Sequence, residues 1–282
     1  MHLLSDYKEI MAKKSSRTRL SVPPSQNLSR NRSGRGPDIP KKGKPSAGNG
    51  YWIYGIHAVE AALNNPNRTI YELLATREAA SSLPYNSKHQ PTFVAREQLD
   101  ALCGRDAVHQ GVCLRVEPLT PLIIAEALER PGPILVLDQV TDPRNIGAIL
   151  RSAAALGAAA VLVQDRNTPP ETGTMAKAAS GGLDIVPLIR ETNLSRALAG
   201  LQRAGLWVVG LDAGGQRLSR ETLGNRRVAL VLGAEGAGLR RLTRETCDEI
   251  ASIYMSGPME SLNVSNASAV ALYELTRPIT SS

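Results

Sequence analysis

From residue 134 onward, short apolar runs rich in β-branched residues alternate with segments whose apolar positions recur at helical spacing. The runs predict six strands: Ile134 to Leu137, Ala160 to Val163, Ile185 to Leu188, Trp207 to Leu211, Val228 to Leu232 and Ile250 to Tyr254. Five helices are predicted between or after them: Asn145 to Leu156, Thr172 to Ala179, Asn193 to Ala204, Leu239 to Thr246 and Val264 to Leu275. This alternation indicates an α/β domain over residues 134–282, with a parallel sheet covered by helices on both faces. In such sheets the ligand site lies beyond the carboxyl ends of the strands.

Residues 51–117 have a different pattern, which predicts a separate small α/β domain. Its predicted elements are a helix over Trp52 to Leu63, strands over Ile70 to Ala75, Thr92 to Ala95 and Val112 to Val116, and a short helix over Glu97 to Leu102 that Gly104 ends. Residues 118–133 contain four prolines and are predicted to be a linker with a helical turn over Leu122 to Leu128.

Residues 1–50 lack hydrophobic periodicity and are rich in Ser, Pro, Gly, Asn, Lys and Arg, which predicts a disordered tail. They hold eleven Lys or Arg and three Asp or Glu, a net charge of +8, whereas the whole chain carries +7. The remaining residues are therefore nearly neutral. A basic tail on a neutral body is typical of an electrostatic tether for a polyanion, and a merely solubilising leader stays open as the alternative.

Composition excludes several kinds of chemistry. The four histidines all precede residue 134, which argues against Ser-His or Cys-His catalysis and against a histidine metal site in the larger domain. Cys103, Cys113 and Cys247 lack metal-binding spacing and are expected to be reduced, so we expect no metal. No segment has the roughly 20 apolar residues of a membrane span, and the N-terminus lacks the apolar core of a signal peptide. We expect a cytoplasmic protein that binds no membrane.

Three segments at predicted strand–helix turns carry the candidate chemistry. The first, from Leu137 to Gly147, opens a helix in which Asp142 is a good N-cap and Pro143 suits the first position. Arg144 and Arg151 lie seven residues apart on this helix and therefore on one face, where two guanidinium groups suit phosphate or ribose contact. Solvated arginines on an amphipathic helix are the simpler alternative for this segment alone.

The second segment, Val231 to Leu239, has its glycines in the order GxxGxG and therefore lacks the dinucleotide-binding fingerprint. Its glycines allow the backbone to approach a flat ligand, and Glu235 lies among them. The third segment, Ile253 to Asn266, runs through a Gly-Pro loop into the last helix, with Ser261 and Asn263 near its start. Each segment alone is also compatible with an ordinary turn or helix cap.

Together, in this order, the segments resemble the SpoU/TrmH family of RNA ribose 2′-O-methyltransferases, within the SPOUT superfamily. The matching stretches are DPRNIGAILRSAAALGA (142–158), KAASGGLDIVPLIRETNL (177–194), LVLGAEGAGLRRLT (230–243) and IYMSGPMESLNVSNASAVALYE (253–274). YGIHAVEAAL (54–63) and HQGV (109–112) extend the likeness into the small domain. That domain is similar to the ribosomal-protein-L30-like substrate domain of the 23S rRNA guanosine-2′-O-methyltransferase subgroup. Asn266 and Tyr254 depart from the usual family residues.

The resemblance implies a C-terminal deep trefoil knot, a homodimer, S-adenosylmethionine as methyl donor, and ribosomal RNA as the partner that is modified at a ribose, with guanosine the expected nucleoside. Carried over residue by residue, it implies a cofactor pocket around Gly233, Ile253 and Leu262. It implies catalytic and RNA-contact positions at Asn145, Arg151, Glu235, Ser261 and Asn263.

A guanidinium is effectively always protonated, so Arg151 is expected to stabilise the ribose oxygen or to hold a phosphate rather than to remove a proton. Asn145 and Ser261 would orient the ribose, and Glu235 would hold Arg151 or help to carry the proton away. Two alternative functions stay open: a tRNA ribose 2′-O-methyltransferase of the same family, and a non-catalytic RNA-binding factor in ribosome assembly.

Overall fold

The computed structural model describes residues 50–84 and 88–278. The described residues from Gly50 onward belong to one compact unit. The predicted disordered tail lies outside the described residues, except for Gly50.

A four-stranded sheet forms the first part of this unit. Its strands and helices are β1 (Tyr51–Tyr54), α1 (Ile56–Asn64), β2 (Ile70–Ala75), α2 (Arg77–Ala80), β3 (Thr92–Phe93), α3 (Arg96–Cys103) and β4 (Val112–Val116). The strand order is β1-β4-β2-β3, with β4 antiparallel to both neighbours and β2 parallel to β3. A linker with one short helix, α4 (Ile124–Leu128), follows.

A six-stranded sheet forms the second part, and all its pairings are parallel in the order β10-β8-β9-β5-β6-β7. The strands are β5 (Ile134–Leu137), β6 (Ala160–Gln164), β7 (Leu188–Glu191), β8 (Trp207–Arg217), β9 (Val228–Leu232) and β10 (Glu249–Ser252). The helices are α5 (Pro143–Ala155), α6 (Gly173–Ala179), α7 (Gly182–Ile185), α8 (Leu194–Arg203), α9 (Arg220–Leu223), α10 (Arg241–Thr246) and α11 (Val264–Thr276). The central strands β5 and β9 are wholly buried, which accounts for their uninterrupted apolar sequences. The predicted α/β fold with a parallel sheet is confirmed.

Several predicted bounds differ from the structure, and two of the differences are more than a shift at one end. The predicted helix over Trp52 to Leu63 begins only at Ile56, because β1 occupies the preceding residues and pairs with β4. Gly55, at φ +91°, separates the two elements. The predicted strand Ile185–Leu188 is displaced: α7 ends at Ile185, and β7 starts at Leu188, after Pro187.

Buried polar contacts join the two sheets. Arg68 donates from Nε to Asp184 Oδ1 at 2.8 Å and from Nη1 to Glu171 Oε2 at 3.0 Å. The Tyr51 hydroxyl donates to the same Glu171 oxygen at 2.6 Å. Gly173 is required where β1 meets α6, because a Cβ there would lie 2.5 Å from the Trp52 carbonyl oxygen. Through these contacts the small sheet packs directly against the helices of the parallel sheet. Among the described helices, none combines the length and apolarity of a membrane span.

Candidate active site

The carboxyl edge of the parallel sheet gathers the three predicted turns. Strands β5 and β9 are neighbours, with Leu137 paired to Leu232, so the turns that follow them leave the sheet side by side. Helix α5 begins after the first turn, and Asp142 caps it by accepting from the Arg144 N–H at 2.8 Å. The loop after β10 leads into α11, which packs against α5. The packing of α5 and α11 therefore brings the first and third segments together.

A hydrogen-bonded cluster joins one residue from each of the three segments. Asn145 Nδ2 donates to Glu235 Oε1 at 3.1 Å, and Asn263 Nδ2 donates to the same oxygen at 2.5 Å. Asn263 Nδ2 also lies 3.1 Å from Asn145 Oδ1. The N–H of Val264, the first residue of α11, lies 3.4 Å from Glu235 Oε1. Two amides and the N-terminus of a helix thus hold one carboxylate oxygen of Glu235. We refer to Asn145, Glu235 and Asn263 as the amide–carboxylate cluster.

Asn263 is also the N-cap of α11. Its Oδ1 accepts from the Ser265 N–H at 2.9 Å and from the Ser265 hydroxyl at 2.5 Å. The amide orientation is therefore fixed on both sides: the oxygen faces its own helix, and the nitrogen faces Glu235. Asn263 is thus the helix cap that the sequence allowed, and it also contacts Asn145 and Glu235.

The remaining predicted site residues lie on the same elements but outside the cluster. Arg151 lies nearly two turns along α5 from Asn145 and is exposed. Within the described part of the chain it forms no ion pair, so the expected Glu235–Arg151 contact is not made, and Glu235 contacts the two asparagines instead. Ile253 directly follows β10, and Ser261 and Leu262 directly precede Asn263; both of the latter are exposed.

The glycine loop after β9 is held by tight backbone packing. A Cβ on Gly233 would lie 2.2 Å from the Gly238 carbonyl carbon, so only glycine fits there. The Gly238 N–H donates to the Ala234 carbonyl at 3.0 Å, and Gly238 itself has φ +65°. The loop thus closes on itself, with Glu235 at its tip.

Two residues that the sequence analysis did not select anchor this loop. Asp138 is fully buried at the end of β5 and accepts from Arg240 Nε at 2.6 Å and from the Arg240 N–H at 3.1 Å. Arg240 is the N-cap of α10, at the far end of the glycine loop from β9. The sequence does contain a signal for this anchor: Asp138 directly follows a wholly apolar strand. A buried carboxylate needs a hydrogen-bond or ionic partner, so such an aspartate indicates a buried polar contact.

Cys247, which lies between α10 and the start of β10, is not a thiolate. Burial raises the pKa of Cys247 to about 12, and the negative charge of Asp248 adds to the effect. Its Sγ lies 3.2 Å from the Thr243 carbonyl. Cys247 is therefore a neutral thiol at pH 7 and packs as a small apolar side chain. No group of three His, Cys, Asp or Glu residues in the described ranges is arranged to hold a metal ion.

We predict that Gly233→Ala lowers the free energy of unfolding by about 1–3 kcal/mol, because the added methyl overlaps the Gly238 backbone. Gly257→Ala is the matched control, since its Cβ would meet no atom within 4 Å. Urea unfolding of both variants measures the difference. Equal stability of the two variants would contradict the packing of the glycine loop.

Asp138→Asn is expected to cost about 1–3 kcal/mol of stability, because it weakens a charged hydrogen bond to a buried acceptor. Asp165→Asn provides the control: Asp165 lies 3.8 Å from Arg190, is about half exposed and contributes at most about 1 kcal/mol. Thermal unfolding compares the two. The anchoring role of Asp138 is wrong if both substitutions have the same small effect.

A parallel sheet whose carboxyl edge gathers three loops around an amide–carboxylate cluster defines an α/β protein with a ligand site at that edge. Residues 132–273 match the SpoU rRNA Methylase family, and residues 52–122 match the family described as RNA 2'-O ribose methyltransferase substrate binding. The chain belongs to the SpoU rRNA methylase family.

A curated relative and two solved structures are also similar to this chain. The 23S rRNA (guanosine-2'-O-)-methyltransferase RlmB of Vibrio vulnificus (strain CMCP6) is 41% identical over 240 residues, which cover 80% of this chain and 96% of that protein. A crystal structure described as RNA 2'-O ribose methyltransferase has a TM-score of 0.63 at 26% identity, over 79% of this chain and 86% of its own. The SpoU methyltransferase AviRb from Streptomyces viridochromogenes, in complex with AdoMet, shares the fold with a TM-score of 0.68 at 24% identity, over 81% and 89% of the two chains.

Proposed function

We propose that this protein transfers a methyl group from S-adenosylmethionine to the ribose 2′-hydroxyl of a guanosine in 23S rRNA. The amide–carboxylate cluster is the observation that carries the proposal, because it joins one residue from each of three family segments at the ligand edge of the sheet. Family membership supports methyl transfer to rRNA, and relatives that align over nearly their whole length support the guanosine ribose.

The residues at this edge fit a flat, partly apolar methyl donor. In the part of the chain that the structure describes, the backbone groups of residues 254–262 pair with no other backbone group and can serve as donors and acceptors for a ligand. Met255 and Leu262 are more than one-third exposed in the same loop and offer apolar contact. Gly233, Ile253 and Leu262 would line the pocket. When bound, S-adenosylmethionine supplies an electrophilic methyl group on a positively charged sulfur.

The residues of this protein supply the remaining chemistry. The ribose oxygen must approach the methyl group in line and must lose its proton, so positioning in a site from which water is excluded favours the reaction. We assign to Asn145 and Ser261 the orientation of the ribose. Arg151 stabilises the negative charge that develops on the oxygen, or holds a neighbouring phosphate in a bidentate contact.

Glu235 is proposed to accept or relay the hydroxyl proton. All its contacts to Asn145, Asn263 and Val264 use Oε1, which leaves Oε2 available among the described residues. The asparagines thus anchor one oxygen and leave the other for the substrate.

Several features implied by the family resemblance belong to the same proposal. They are a C-terminal trefoil knot, a homodimer that completes the site, an L30-like fold for residues 51–117 and a cytoplasmic location. The packing of α11 against α5, beside the loop after β9, is compatible with a threaded C-terminus. The two family matches, over residues 52–122 and 132–273, support domains at 51–117 and 134–282 with a linker at 118–133.

Methylation with labelled S-adenosylmethionine tests the function directly. Separate reactions contain unmodified 23S rRNA or a mixture of unmodified tRNAs, and resistance of the labelled site to alkaline hydrolysis identifies a 2′-O-methyl group. We expect label in 23S rRNA alone. Label in tRNA alone would establish the tRNA enzyme instead. RNA binding without transfer to either substrate would establish the assembly factor.

A further inference from the structure

One face of the small sheet carries an arginine between two aromatic rings. The guanidinium carbon of Arg115 lies 5.2 Å from the centre of the Tyr71 ring and 6.0 Å from that of the Trp52 ring. We refer to Trp52, Tyr71 and Arg115 as the aromatic platform. The platform takes no part in the proposed methyl-transfer chemistry at the parallel sheet.

Strand register explains why these side chains share a face. Trp52 and Glu72 both pair with Arg115, from the strands on either side of β4. A bulge between Ile70 and Glu72 gives Tyr71 the extra position that brings its ring to the same face as Arg115.

Helix α3 covers only the other half of this face. Its Leu99 is buried in a cluster with Tyr54, Leu74 and Cys113, which lie further along the same strands. Tyr71 remains 46% exposed, and the Arg115 side chain remains 33% exposed. Trp52 packs against the edge of this cluster, so the platform is open to solvent mainly at Tyr71 and Arg115.

The charges around the platform select the kind of ligand. Glu72 Oε2 lies 3.5 Å from Arg115 Nε, and the Tyr71 hydroxyl donates to Glu117. These two carboxylates offset the single positive charge of Arg115, which disfavours a phosphate. The exposed Tyr71 ring and a planar guanidinium suit a nucleobase instead, because every base has a face that can stack. The carboxylates can accept hydrogen bonds from the N–H groups at the edge of a base.

The platform also lies where the basic tail joins the described structure. A Cβ on Gly50 would lie 3.1 Å from the Tyr71 ring, so the chain passes directly beside this residue. The residues before Gly50 carry the +8 net charge of the tail. The described part of the chain therefore begins beside the platform.

We propose that the aromatic platform binds an unpaired base of the substrate RNA by stacking. The proposal rests on the proposed function in that the substrate is RNA, but RNA binding can be measured without methyl transfer. Strand β1, which carries Trp52, packs on α6 of the parallel sheet, so a base bound here is held by the domain that adjoins the active site.

Fluorescence anisotropy of a labelled single-stranded RNA tests the proposal with two variants at one position. Tyr71→Leu removes the ring, and Tyr71→Phe keeps the ring but removes the hydroxyl contact to Glu117. We expect Tyr71→Leu to raise the Kd about tenfold or more, the effect of losing one base stacked on an aromatic side chain. Tyr71→Phe is expected to leave the Kd unchanged. The salt dependence of binding should stay the same in both variants, because neither changes a charge.

Phe93→Leu is the matched control. Phe93 is 48% exposed on the same sheet and also has an arginine over its ring, Arg77 at 4.9 Å. It pairs with Ala75, which packs into the core on the side away from the platform. We expect no change in its Kd. Arg115→Lys provides a second platform variant that keeps the charge, and we expect it to weaken single-stranded binding and to leave duplex binding unchanged.

The stacking proposal is overturned if Tyr71→Leu binds single-stranded RNA as the unaltered protein does, if Tyr71→Phe is equally weakened, or if Phe93→Leu has the same effect. Failure of the proposed function is a separate result. In that case Tyr71→Leu weakens RNA binding as expected, but no RNA is methylated by any variant. If both hold, Tyr71→Leu raises KM for RNA and leaves kcat unchanged.

Discussion

We expect Arg151→Lys to lower kcat/KM for RNA methylation by about 100-fold, in the range seen when a group that stabilises a developing oxyanion is lost. The change keeps the positive charge but removes the planar pair of donors with which a guanidinium contacts two oxygens at once. Steady-state methylation of 23S rRNA measures the effect. Arg151 is exposed on α5, so the substitution is expected to leave stability unchanged.

Arg144→Lys is the control for Arg151, because Arg144 is an exposed arginine on the same helix. A lysine can replace it in a simple charge contact to phosphate, so kcat/KM should stay within about threefold. Near-normal turnover of Arg151→Lys at neutral pH would show that the planar pair of guanidinium donors has no role. An equal loss in both variants would show that the helix only attracts RNA.

Glu235→Ala is expected to lower kcat by about 100-fold or more, since it removes both the proposed proton acceptor and the anchor of the two asparagine amides. Glu235→Gln separates the two roles. An amide oxygen can still accept from Asn145 and Asn263, so the cluster is kept and only the charge is lost. We expect kcat of Glu235→Gln to be as low as that of Glu235→Ala, with unchanged thermal stability.

A double-mutant cycle tests whether the cluster works as a unit. Asn145→Ala and Glu235→Ala should be strongly non-additive, because each change removes the same 3.1 Å hydrogen bond. Additive losses in kcat would contradict the cluster. So would a Glu235→Gln variant that turns over like the unaltered protein.

Local sequence pattern predicts those elements whose structure is decided locally. The strands Ile70–Ala75, Val112–Val116, Ile134–Leu137 and Val228–Leu232 have the predicted bounds, because each is a largely apolar run between clear breaks. Residues 52–55 were wrongly included in a helix, since an apolar stretch of this length suits either element. These residues form a strand because they pair with β4, about 60 residues away in the chain.

The candidate site shows the same limit. The three segments could be selected from sequence, and Asn145, Glu235 and Asn263 meet as the common edge of the strands predicts. The pairing of Glu235 with two asparagines, rather than with Arg151, depends on how α11 packs against α5, and hydrophobic periodicity carries no information about that packing. The trefoil knot, which stays a proposal, would likewise leave no trace in the strand and helix pattern.

The site assignment has one most direct test: nucleoside analysis, by mass spectrometry, of 23S rRNA incubated with S-adenosylmethionine and either the unaltered protein or Glu235→Ala. The account predicts that 2′-O-methylguanosine forms with the unaltered protein and falls to a trace with the variant. Methylation on a base instead of a ribose would contradict it. So would undiminished 2′-O-methylguanosine from Glu235→Ala.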